Sequence, residues 1–382
     1  MAPGSFHLPP ELWIKVFHWA TCNPDAYSLE YQPFQSLSSH YTVDPLNLQV
    51  RTTLGLVCRK WHELSVEFLY KDIQIGVGQS KLRQNLHNGN GNYGKYVRRV
   101  VLPLSSTTTP TWNSKPLLPL DIIKCCDNLE VLSRPRSYDD LEFEFDVDSI
   151  LLPSLKKLQW DYEPIAEQSG GINSLGTTLL SAPHLRYLSI RGAPDYHLLQ
   201  HGPKTSLKSL KTLVISTATG PLINQIAYQW YLPSLTHLVV GAIHTTDLLC
   251  IWEIYKNQLE VLELGENPSF LTQDIISAAL RMCPTIKTIN YYPIVTLPPQ
   301  ENSGFHSVTT IGLNCGCSMT FPDESVCTYL EKHCQRVFFS GIFPCLQTVH
   351  FFGSWAHVMK QYNFGRLVTQ LEQHGYQILF HF

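Results

Sequence analysis

Two stretches of this chain carry residue types that bind phosphate or metal ions in other proteins. Residues 89–95, GNGNYGK, fit the spacing G-x-x-x-x-G-K of a phosphate-binding loop, but Tyr96 stands where such loops have the serine or threonine that holds magnesium. A true phosphate loop follows a strand and opens a helix. Here the helix-like KLRQNLHN precedes the loop and the strand-like YVRRVVL follows it, so we interpret the loop as a linker.

The cysteines offer a second candidate site. Cys315-x-Cys317, followed by Cys327, His333 and Cys334, contains the donor types of a zinc site. Zinc ribbons, however, separate their paired cysteines by two to four residues. Cys327 and Cys334 also lie seven residues apart on a predicted helix, which is an ordinary spacing for core residues. We therefore predict buried thiols and no metal ligands.

Other catalytic patterns are missing from the sequence. It contains neither an H-E-x-x-H metal-binding motif nor a G-x-S-x-G nucleophile motif. Cys125 and Cys126 are adjacent, which suits neither a zinc knuckle nor a C-x-x-C redox pair. The acidic run DDLEFEFDVD at 139–148 could attract a basic partner, and it is also typical of an exposed loop or edge strand kept soluble by charge. We expect no catalytic residue and no cofactor.

The composition excludes further classes of function. The 382 residues allow two or three domains, and a hydrophobic content of 44% allows a large core. A net charge of −3 lacks the basic surplus of nucleic-acid and membrane-surface binders. The sequence has neither an apolar run long enough for a transmembrane helix nor the pattern of a secretory signal. With eleven cysteines in so long a chain, we expect free thiols and a cytoplasmic or nuclear protein.

Two amphipathic helices are predicted in the first seventy residues. The opening LPPE at 8–11 is typical of a helix start, since proline lacks the N–H that would stay unpaired there. Apolar residues then recur at helical spacing at Leu12, Val16 and Trp19. A second helix is predicted over about residues 52–69. Its apolar stripe contains Leu54, Val57, Trp61 and Leu64.

Together these helices resemble the F-box, whose motifs are Leu-Pro-x-Glu at the start and Val-Cys-x-x-Trp at the end. The first half is matched by Leu8, Pro9, Glu11, Val16 and Phe17, and the second by Leu54, Val57, Cys58, Arg59 and Trp61. The resemblance implies a non-catalytic specificity subunit of an SCF-type cullin–RING ubiquitin ligase, bound through a Skp-type adaptor. It implies adaptor contacts for Leu8, Pro9, Leu12, Val16, Leu54, Val57 and Trp61.

One feature departs from the family pattern. A Tyr/Ser/Pro-rich insertion at about 21–51 replaces the usual short turn, and it could crowd the adaptor surface. Such loops tolerate insertions because the entropy of loop closure grows slowly with length. The stretch FLYKDIQI at 68–75 is similar to the strand with which the family's module ends. An unrelated helical hairpin is the alternative interpretation of the two helices.

From about residue 96 onward one pattern recurs: an apolar residue, two others, an apolar residue, one other and an apolar residue. Complete copies begin at Val97, Leu155, Leu185, Leu210, Leu235, Leu259, Ile286, Val308 and Leu346, with a partial copy at Leu129. From Leu155 to Val308 the copies start 22 to 30 residues apart, close to the spacing of leucine-rich repeats. The segments between copies predict helices at 222–230, 246–255, 272–282 and 323–333.

The recurring pattern resembles irregular leucine-rich repeats, in which units stack because one unit cannot bury its own apolar face. The asparagine of the regular repeat is mostly absent, with Asn267 and Asn314 as loose equivalents. We predict an α/β chain: an α-helical F-box at 1–75 with an inserted loop at about 21–51, a linker at 76–95, and an irregular leucine-rich-repeat solenoid with parallel strands at 96–382. An ordinary α/β domain with several buried strands is the alternative.

Side chains two, four and six residues after the first apolar residue of each copy should point away from the core, because strand side chains alternate. This predicted face is small, polar and nearly uncharged, with an apolar spot at Val214, Val239 and Val261. We predict that it binds a neutral protein segment. The alternative is that this face is merely solvated. The predicted substrate contacts are Tyr187, Val214, His237, Val239, Val261 and Tyr292.

The predicted partners are therefore a Skp-type adaptor, through it a cullin–RING ligase, and a protein substrate, with neither nucleic acid nor membrane. A short helical module before a strand-rich repeat is also similar to the F-box proteins of mushroom-forming fungi. The alternative function is a repeat scaffold outside any ligase, in which the N-terminal helices only cap the repeats. A cap should leave no apolar patch exposed, whereas an adaptor-binding pair should leave Leu8, Pro9 and Val57 partly uncovered.

Overall fold

Parallel strands alternate with helices along most of the chain in the computed structural model. It describes residues 8–22, 24–35, 45–75, 79–88, 92–102, 122–134, 151–161, 175–192, 205–218, 220–243, 245–301, 304–316 and 323–381. Contacts divide the chain into unit 1, Met1–Glu30 with Ser39–Arg186, and unit 2, Tyr31–Ser38 with Tyr187–Phe382. Both units are mixed α/β with parallel strands, which confirms the coarse fold class predicted from the sequence.

Unit 1 begins with helices and continues into a parallel sheet. Its helices are α1 (Pro10–Thr21), α2 (Pro24–Tyr27), α3 (Pro45–Val57), α4 (Arg59–Lys71), α5 (Gln79–Asn88) and α6 (Leu175–Leu180). Its strands are β1 (Asp72–Gln74), β2 (Arg99–Val101), β3 (Val131–Arg134) and β4 (Lys157–Asp161). These four strands pair in sequence order, and every pair is parallel.

The first helix begins at Pro10, as the LPPE pattern predicts, but the second differs from its prediction. The single helix expected over 52–69 is two helices, because Cys58 is extended between α3 and α4. The Cys58 sulfur accepts a hydrogen bond from the Trp61 backbone N–H at 3.5 Å, so Cys58 caps the start of α4. Helix then continues to Lys71, and the exit strand expected over 68–75 is confined to β1.

Unit 2 repeats a strand and, in most repeats, a helix. Its strands are β5 (Tyr187–Arg191), β6 (Thr205–Ser206), β7 (Thr212–Thr217), β8 (Trp230–Tyr231), β9 (His237–Ala242), β10 (Val261–Leu264), β11 (Thr288–Tyr291), β12 (Thr310–Asn314), β13 (Thr348–Phe352) and β14 (Gln377–His381). Its helices are α7 (Gly220–Gln229), α8 (Thr245–Tyr255), α9 (Ile275–Met282), α10 (Asp323–Phe339), α11 (Trp355–Val358) and α12 (Gln361–Gln373). A 3-10 helix spans Pro268–Leu271.

The main sheet of unit 2 is parallel and runs β5-β7-β9-β10-β11-β12-β13-β14, while β6 and β8 form a separate pair. Its register stacks the recurring apolar residues. One row contains Leu188, Leu213, Leu238, Leu262, Ile289, Ile311, Val349 and Ile378. The next contains Ile190, Ile215, Val240, Leu264, Tyr291, Leu313, Phe351 and Phe380. From β5 to β13 these residues are buried, each contributing on the order of 2 kcal/mol of hydrophobic stabilisation.

Helices complete the core of unit 2. The four predicted helices coincide with α7, α8, α9 and α10, although α9 begins three residues later than predicted and α10 ends six residues later. The late start of α9 follows from the 3-10 helix before it and from Asp274, whose carboxylate accepts the Ser277 N–H at 3.0 Å. Helices α7 and α8 pack together, as do α8 and α9. This arrangement buries one face of each of these helices against the unit.

Candidate functional site

Helices α1 and α3 of unit 1 expose stripes of large apolar side chains. Leu8, just before α1, is 39% exposed, and Val57, at the end of α3, is 55% exposed. Pro9 is also exposed. The other exposed apolar residues here are Leu12, Ile14, Val16, Trp19, Leu46, Leu48, Val50 and Leu56. We call this whole set the apolar helix surface; large exposed apolar patches occur at protein and membrane interaction sites and in ligand-binding grooves.

The spacing of these residues explains why they form stripes. On α1, Leu12, Val16 and Trp19 follow one another at four and three residues, which places them on one helix face. On α3, Leu46 and Val50 are likewise four residues apart, and Val57 follows seven residues later. Five of the seven predicted adaptor contacts therefore lie on the exposed surface: Leu8, Pro9, Leu12, Val16 and Val57.

Trp61 and Leu54, the two remaining predicted contacts, are half-buried. Trp61 packs inside unit 1, with its ring centroid 4.6 Å from that of Trp13 and 4.9 Å from that of Phe17. Phe17 in turn meets Phe68 edge to face at 6.4 Å. Trp61 thus joins α4 to α1, and its contribution is to hold the helices that carry the apolar helix surface.

A buried charge cluster attaches α3 to the sheet of unit 1. Asp72 on β1 lies 3.0 Å from Arg99 on β2 and 3.9 Å from Arg51 on α3, and all three residues are at most 3% exposed. Arg51 also donates to the backbone carbonyl of Thr21 at the end of α1 at 3.5 Å. One guanidinium therefore connects α1, α3 and β1.

The predicted substrate face in unit 2 is covered by the chain itself. Four of its six predicted contacts are at most 7% exposed: Tyr187, Val214, Val239 and Tyr292. The other two, His237 and Val261, are half-buried. Residues 31–35, which we call the covering segment, lie over this face, and Tyr31 packs against the buried cluster of Tyr187, Val214 and Val239. The expectation of an open face is wrong, because strand alternation fixes which side a residue faces but not what lies there.

Glu263 on β10 is the main polar partner of the covering segment. One of its oxygens, Oε2, accepts hydrogen bonds from the Tyr31 hydroxyl and, at 2.8 Å, from the Phe34 backbone N–H. The Asn290 side-chain amide on β11 donates to the Tyr31 hydroxyl at 2.7 Å. The phenol is therefore recognised both as a donor and as an acceptor.

The electrostatics of this contact follow from burial. Desolvation raises the pKa of the Glu263 carboxyl to about 7, against the opposing effect of the hydrogen bonds from Phe34 and Tyr31. Burial, and then the charge of Glu263, raise the pKa of the Tyr31 phenol well above its usual value. The phenol thus stays protonated and remains a hydrogen-bond donor. Burial also lowers the pKa of nearby His237, whose ring lies 5.3 Å from that of Tyr31.

Phe34 fills an aromatic slot beside this polar contact. Its ring centroid lies 5.1 Å from that of Tyr292 and 4.8 Å from that of Phe352 at the end of β13, and both contacts are edge to face. Gly312 on β12 makes room for the slot, because a Cβ there would collide with the side chain of Asn290. We call the receiving residues the aromatic seat: His237, Glu263, Asn290, Tyr292 and Phe352.

The aromatic seat depends on residues that the sequence did not single out. Glu263 and Asn290 lay on the predicted face but not among the predicted contacts, and Tyr31 and Phe34 lay in the insertion at 21–51. A signal was present: two isolated aromatic residues flank Gln32 and Pro33 in a stretch without helical or strand periodicity. Such residues need a partner elsewhere, but the pattern does not say which one.

In unit 1, Lys157 of the predicted face is also buried, and it donates to the Ser28 carbonyl at 3.0 Å.

The phosphate-loop and zinc patterns do not form sites in the described residues. Helix α5 precedes the glycine-containing stretch, of which residues 89–91 lie outside the described residues, and Gly94 is buried against the Cys125 carbonyl, where a Cβ would collide. Cys315, Cys327 and Cys334 are buried, and Cys317 lies outside the described residues. In the described part of the chain no three His, Cys, Asp or Glu residues gather as metal ligands. The acidic run at 139–148 also falls outside it.

No protein-family model and no curated protein sequence matches the chain. Among the described helices, none is both long and apolar enough to cross a membrane.

Proposed function

We propose that this chain is the substrate-recognition subunit of an SCF-type cullin–RING ubiquitin ligase. Its F-box, formed by α1, α3 and α4, binds a Skp-type adaptor through the apolar helix surface. Its irregular leucine-rich-repeat solenoid binds a protein substrate. The chain itself performs no chemistry and acts by proximity, because it raises the local concentration of substrate lysines near a charged ubiquitin-conjugating enzyme.

The exposure of the apolar helix surface is the observation that carries this proposal. Leu8, Pro9 and Val57 lie at the motif positions through which an F-box meets its adaptor, and all three are exposed. Helices that only capped a repeat would bury these residues, since exposed apolar area contributes nothing to stability. The exposure therefore favours adaptor binding over the scaffold alternative.

The support beneath this surface also fits a docking role. The Trp13–Trp61–Phe17 packing joins α1 to α4, and the Arg51–Asp72 contact joins α3 to β1. A pre-formed surface loses little conformational entropy on binding, which favours affinity. The in-register rows of apolar residues in unit 2 support the solenoid, because stacking of repeats is what gives such rows a common core.

Co-expression with a Skp-type adaptor, followed by pull-down and size-exclusion chromatography, tests the proposal. We expect a one-to-one complex with the natural sequence. The double variant Leu8→Ala/Val57→Ala should bind at least ten-fold more weakly, a loss of about 1.4 kcal/mol. The matched control is Leu249→Ala/Ile254→Ala on α8, whose side chains are comparably exposed at 42% and 47%.

Both variants should retain the thermal stability of the natural chain, because exposed side chains contribute little to folding. A natural chain that folds and yet ignores the adaptor would refute the ligase function and favour the scaffold. Equal loss of binding in the control would show that the contact is not specific to the apolar helix surface.

A further inference from the structure

The covering segment occupies its seat as a short peptide would. It comes from the insertion between α1 and α3, yet its partners Glu263 and Asn290 lie 229 to 259 residues further along the chain. Only two of its side chains, Tyr31 and Phe34, supply ring contacts to the aromatic seat. The contact is therefore made by two aromatic side chains three residues apart, on a segment without helix or strand.

The seat selects the chemical character of each anchor. At the first position it takes a phenol, since Glu263 accepts a hydrogen bond from the hydroxyl and Asn290 donates one to the hydroxyl oxygen. Phenylalanine there would leave both buried polar groups without this partner. A phosphorylated tyrosine would bring its negative charge beside the Glu263 carboxyl, which opposes binding. At the second position the slot between Tyr292 and Phe352 takes an aromatic ring.

Two features show that the covering segment fits its seat imperfectly. The second carboxyl oxygen of Glu263, Oε1, is buried with no hydrogen-bond partner among the described residues. A ligand that offered one more donor would satisfy it. Phe34 also has a φ of +63°, in the left-handed region that a non-glycine residue rarely adopts. Both features favour exchange of the segment for a better-fitting ligand, since neither strain nor an unpaired oxygen need persist in the new complex.

We propose that the covering segment is an internal competitor, and that the aromatic seat binds in trans a protein segment with an unphosphorylated Tyr-x-x-aromatic motif. The incoming tyrosine takes the place of Tyr31 between Glu263 and Asn290, and the incoming aromatic residue takes the slot of Phe34. The role of this partner as the substrate of a ligase rests on the proposed function, whereas the binding itself does not.

Peptide titration against the full chain tests this inference. The probe is a fluorescent peptide with the sequence of residues 28–35, SLEYQPFQ, and binding is followed by anisotropy. A tethered segment competes at an effective concentration of about 1 mM, so the natural chain should bind the probe weakly. The variant Tyr31→Ala/Phe34→Ala empties the seat and should bind at least ten-fold more tightly. The matched control Tyr228→Ala/Tyr231→Ala, which changes two exposed tyrosines of unit 2, should bind like the natural chain.

Altered probes test whether the peptide binds at the aromatic seat. Against the emptied variant, a peptide with phosphotyrosine, or one with alanine in place of its phenylalanine, should bind at least ten-fold more weakly. Adding Glu263→Ala to the emptied variant should weaken the unmodified probe to a similar extent. Tyr31→Phe alone keeps the ring and removes only the hydroxyl, and it should give a probe affinity between those of the natural chain and the emptied variant.

Several outcomes would overturn the inference. Equal probe affinity for the natural chain and the emptied variant would mean that the segment does not compete. Unfolding of the emptied variant, together with unchanged probe binding by Tyr31→Phe, would mean that the segment is a permanent part of the core. Adaptor binding is scored separately by pull-down, so failure of the peptide titration with adaptor binding retained would reject this inference and leave the ligase function standing.

Discussion

Glu263 is a carboxyl group in the interior of unit 2 whose hydrogen-bond donors, Tyr31 and Phe34, are neutral. Burial raises its pKa from 4.5 to about 7. Between pH 4.5 and pH 7 the carboxyl is therefore protonated in the folded state and ionised in the unfolded chain. The contribution of this protonation to folding stability is therefore fully present below about pH 4.5 and is lost as the pH rises through 7. The expected loss is on the order of 3 kcal/mol.

The variant Glu263→Gln isolates this effect, since its amide is neutral at every pH and its oxygen can accept the same hydrogen bonds. Relative to the natural chain, we expect the variant to gain stability between pH 5 and pH 8. Urea unfolding at both pH values measures the difference, and the other titrating groups cancel because both chains contain them. A free-energy difference between the two chains that does not change with pH would contradict the raised pKa.

His333 on α10 should produce the opposite dependence on pH. Its Nε2 atom lies 2.9 Å from the hydroxyl of Tyr291, and burial lowers its pKa to about 3 from 6.5. A depressed pKa means that stability is complete above about pH 6.5 and is lost as the pH falls towards 3. We expect Tyr291→Phe/His333→Leu, which replaces both polar partners together, to reduce the slope of stability between pH 6.5 and 4. Parallel urea-derived curves for the two chains would contradict this assignment.

At the scale of elements, the ion cluster of unit 1 decides how firmly α3 lies on the sheet. Asp72→Ala would leave Arg51 and Arg99 buried beside each other without the carboxylate. Removal of one partner from a buried ion cluster typically destabilises by about 3–5 kcal/mol. We expect a loss of this size in urea unfolding of unit 1, and weaker adaptor binding as α3 loosens.

The matched control for this variant is Glu63→Ala, which removes the partner of Arg59 in an exposed pair at 3.2 Å. Solvent screens such a pair, so its loss should leave stability nearly unchanged. If Asp72→Ala were as stable as this control, β1 and α3 would be held together by packing alone.

The strands of unit 2 could be predicted from sequence because their signal is local. The apolar spacing around Leu213, Leu238 and Leu262 fixes which side chains enter the core, and stacking of similar units then fixes the register. Strand β14 escaped prediction because Gly375 stands where each copy has its first apolar residue. Its backbone nevertheless continues the pattern, since the Gln377 N–H donates to the Gln347 carbonyl at 2.8 Å.

The parts that could not be predicted depend on contacts between distant residues or on unusual caps. The break between α3 and α4 arises from capping by Cys58, and apolar periodicity carries no information about a cap. The cover over the predicted substrate face comes from Tyr31, which meets Asn290 across 259 residues of sequence. The exposure of Leu8 and Val57 was expected only from the resemblance to a docking module, because apolar periodicity alone fits two packed core helices equally well.

At the scale of the whole molecule, adaptor binding and displacement of the covering segment from the aromatic seat should both control the rate of ubiquitin transfer. Each should be changeable by mutation without the other. If the covering segment binds its seat with a Kd of about 10 µM at an effective concentration of about 1 mM, only about 1% of seats are free. Apparent affinity for an incoming motif is reduced by that fraction. Tyr31→Ala/Phe34→Ala should therefore raise the rate of ubiquitin transfer by up to about 100-fold at low concentrations of the motif-bearing protein.

A reconstituted ubiquitination assay with a lysine-bearing protein fused to SLEYQPFQ measures this output. The emptied variant should accelerate ubiquitin transfer to the fusion, and phosphorylation of the fused tyrosine should cancel the gain. Leu8→Ala/Val57→Ala should slow transfer both in the natural chain and in the emptied variant, because it weakens adaptor binding and leaves the peptide contact intact. If the emptied variant bound the fusion more tightly without faster ubiquitin transfer, the seat would recognise a partner other than the protein to be modified. The internal competitor would then regulate assembly instead of degradation.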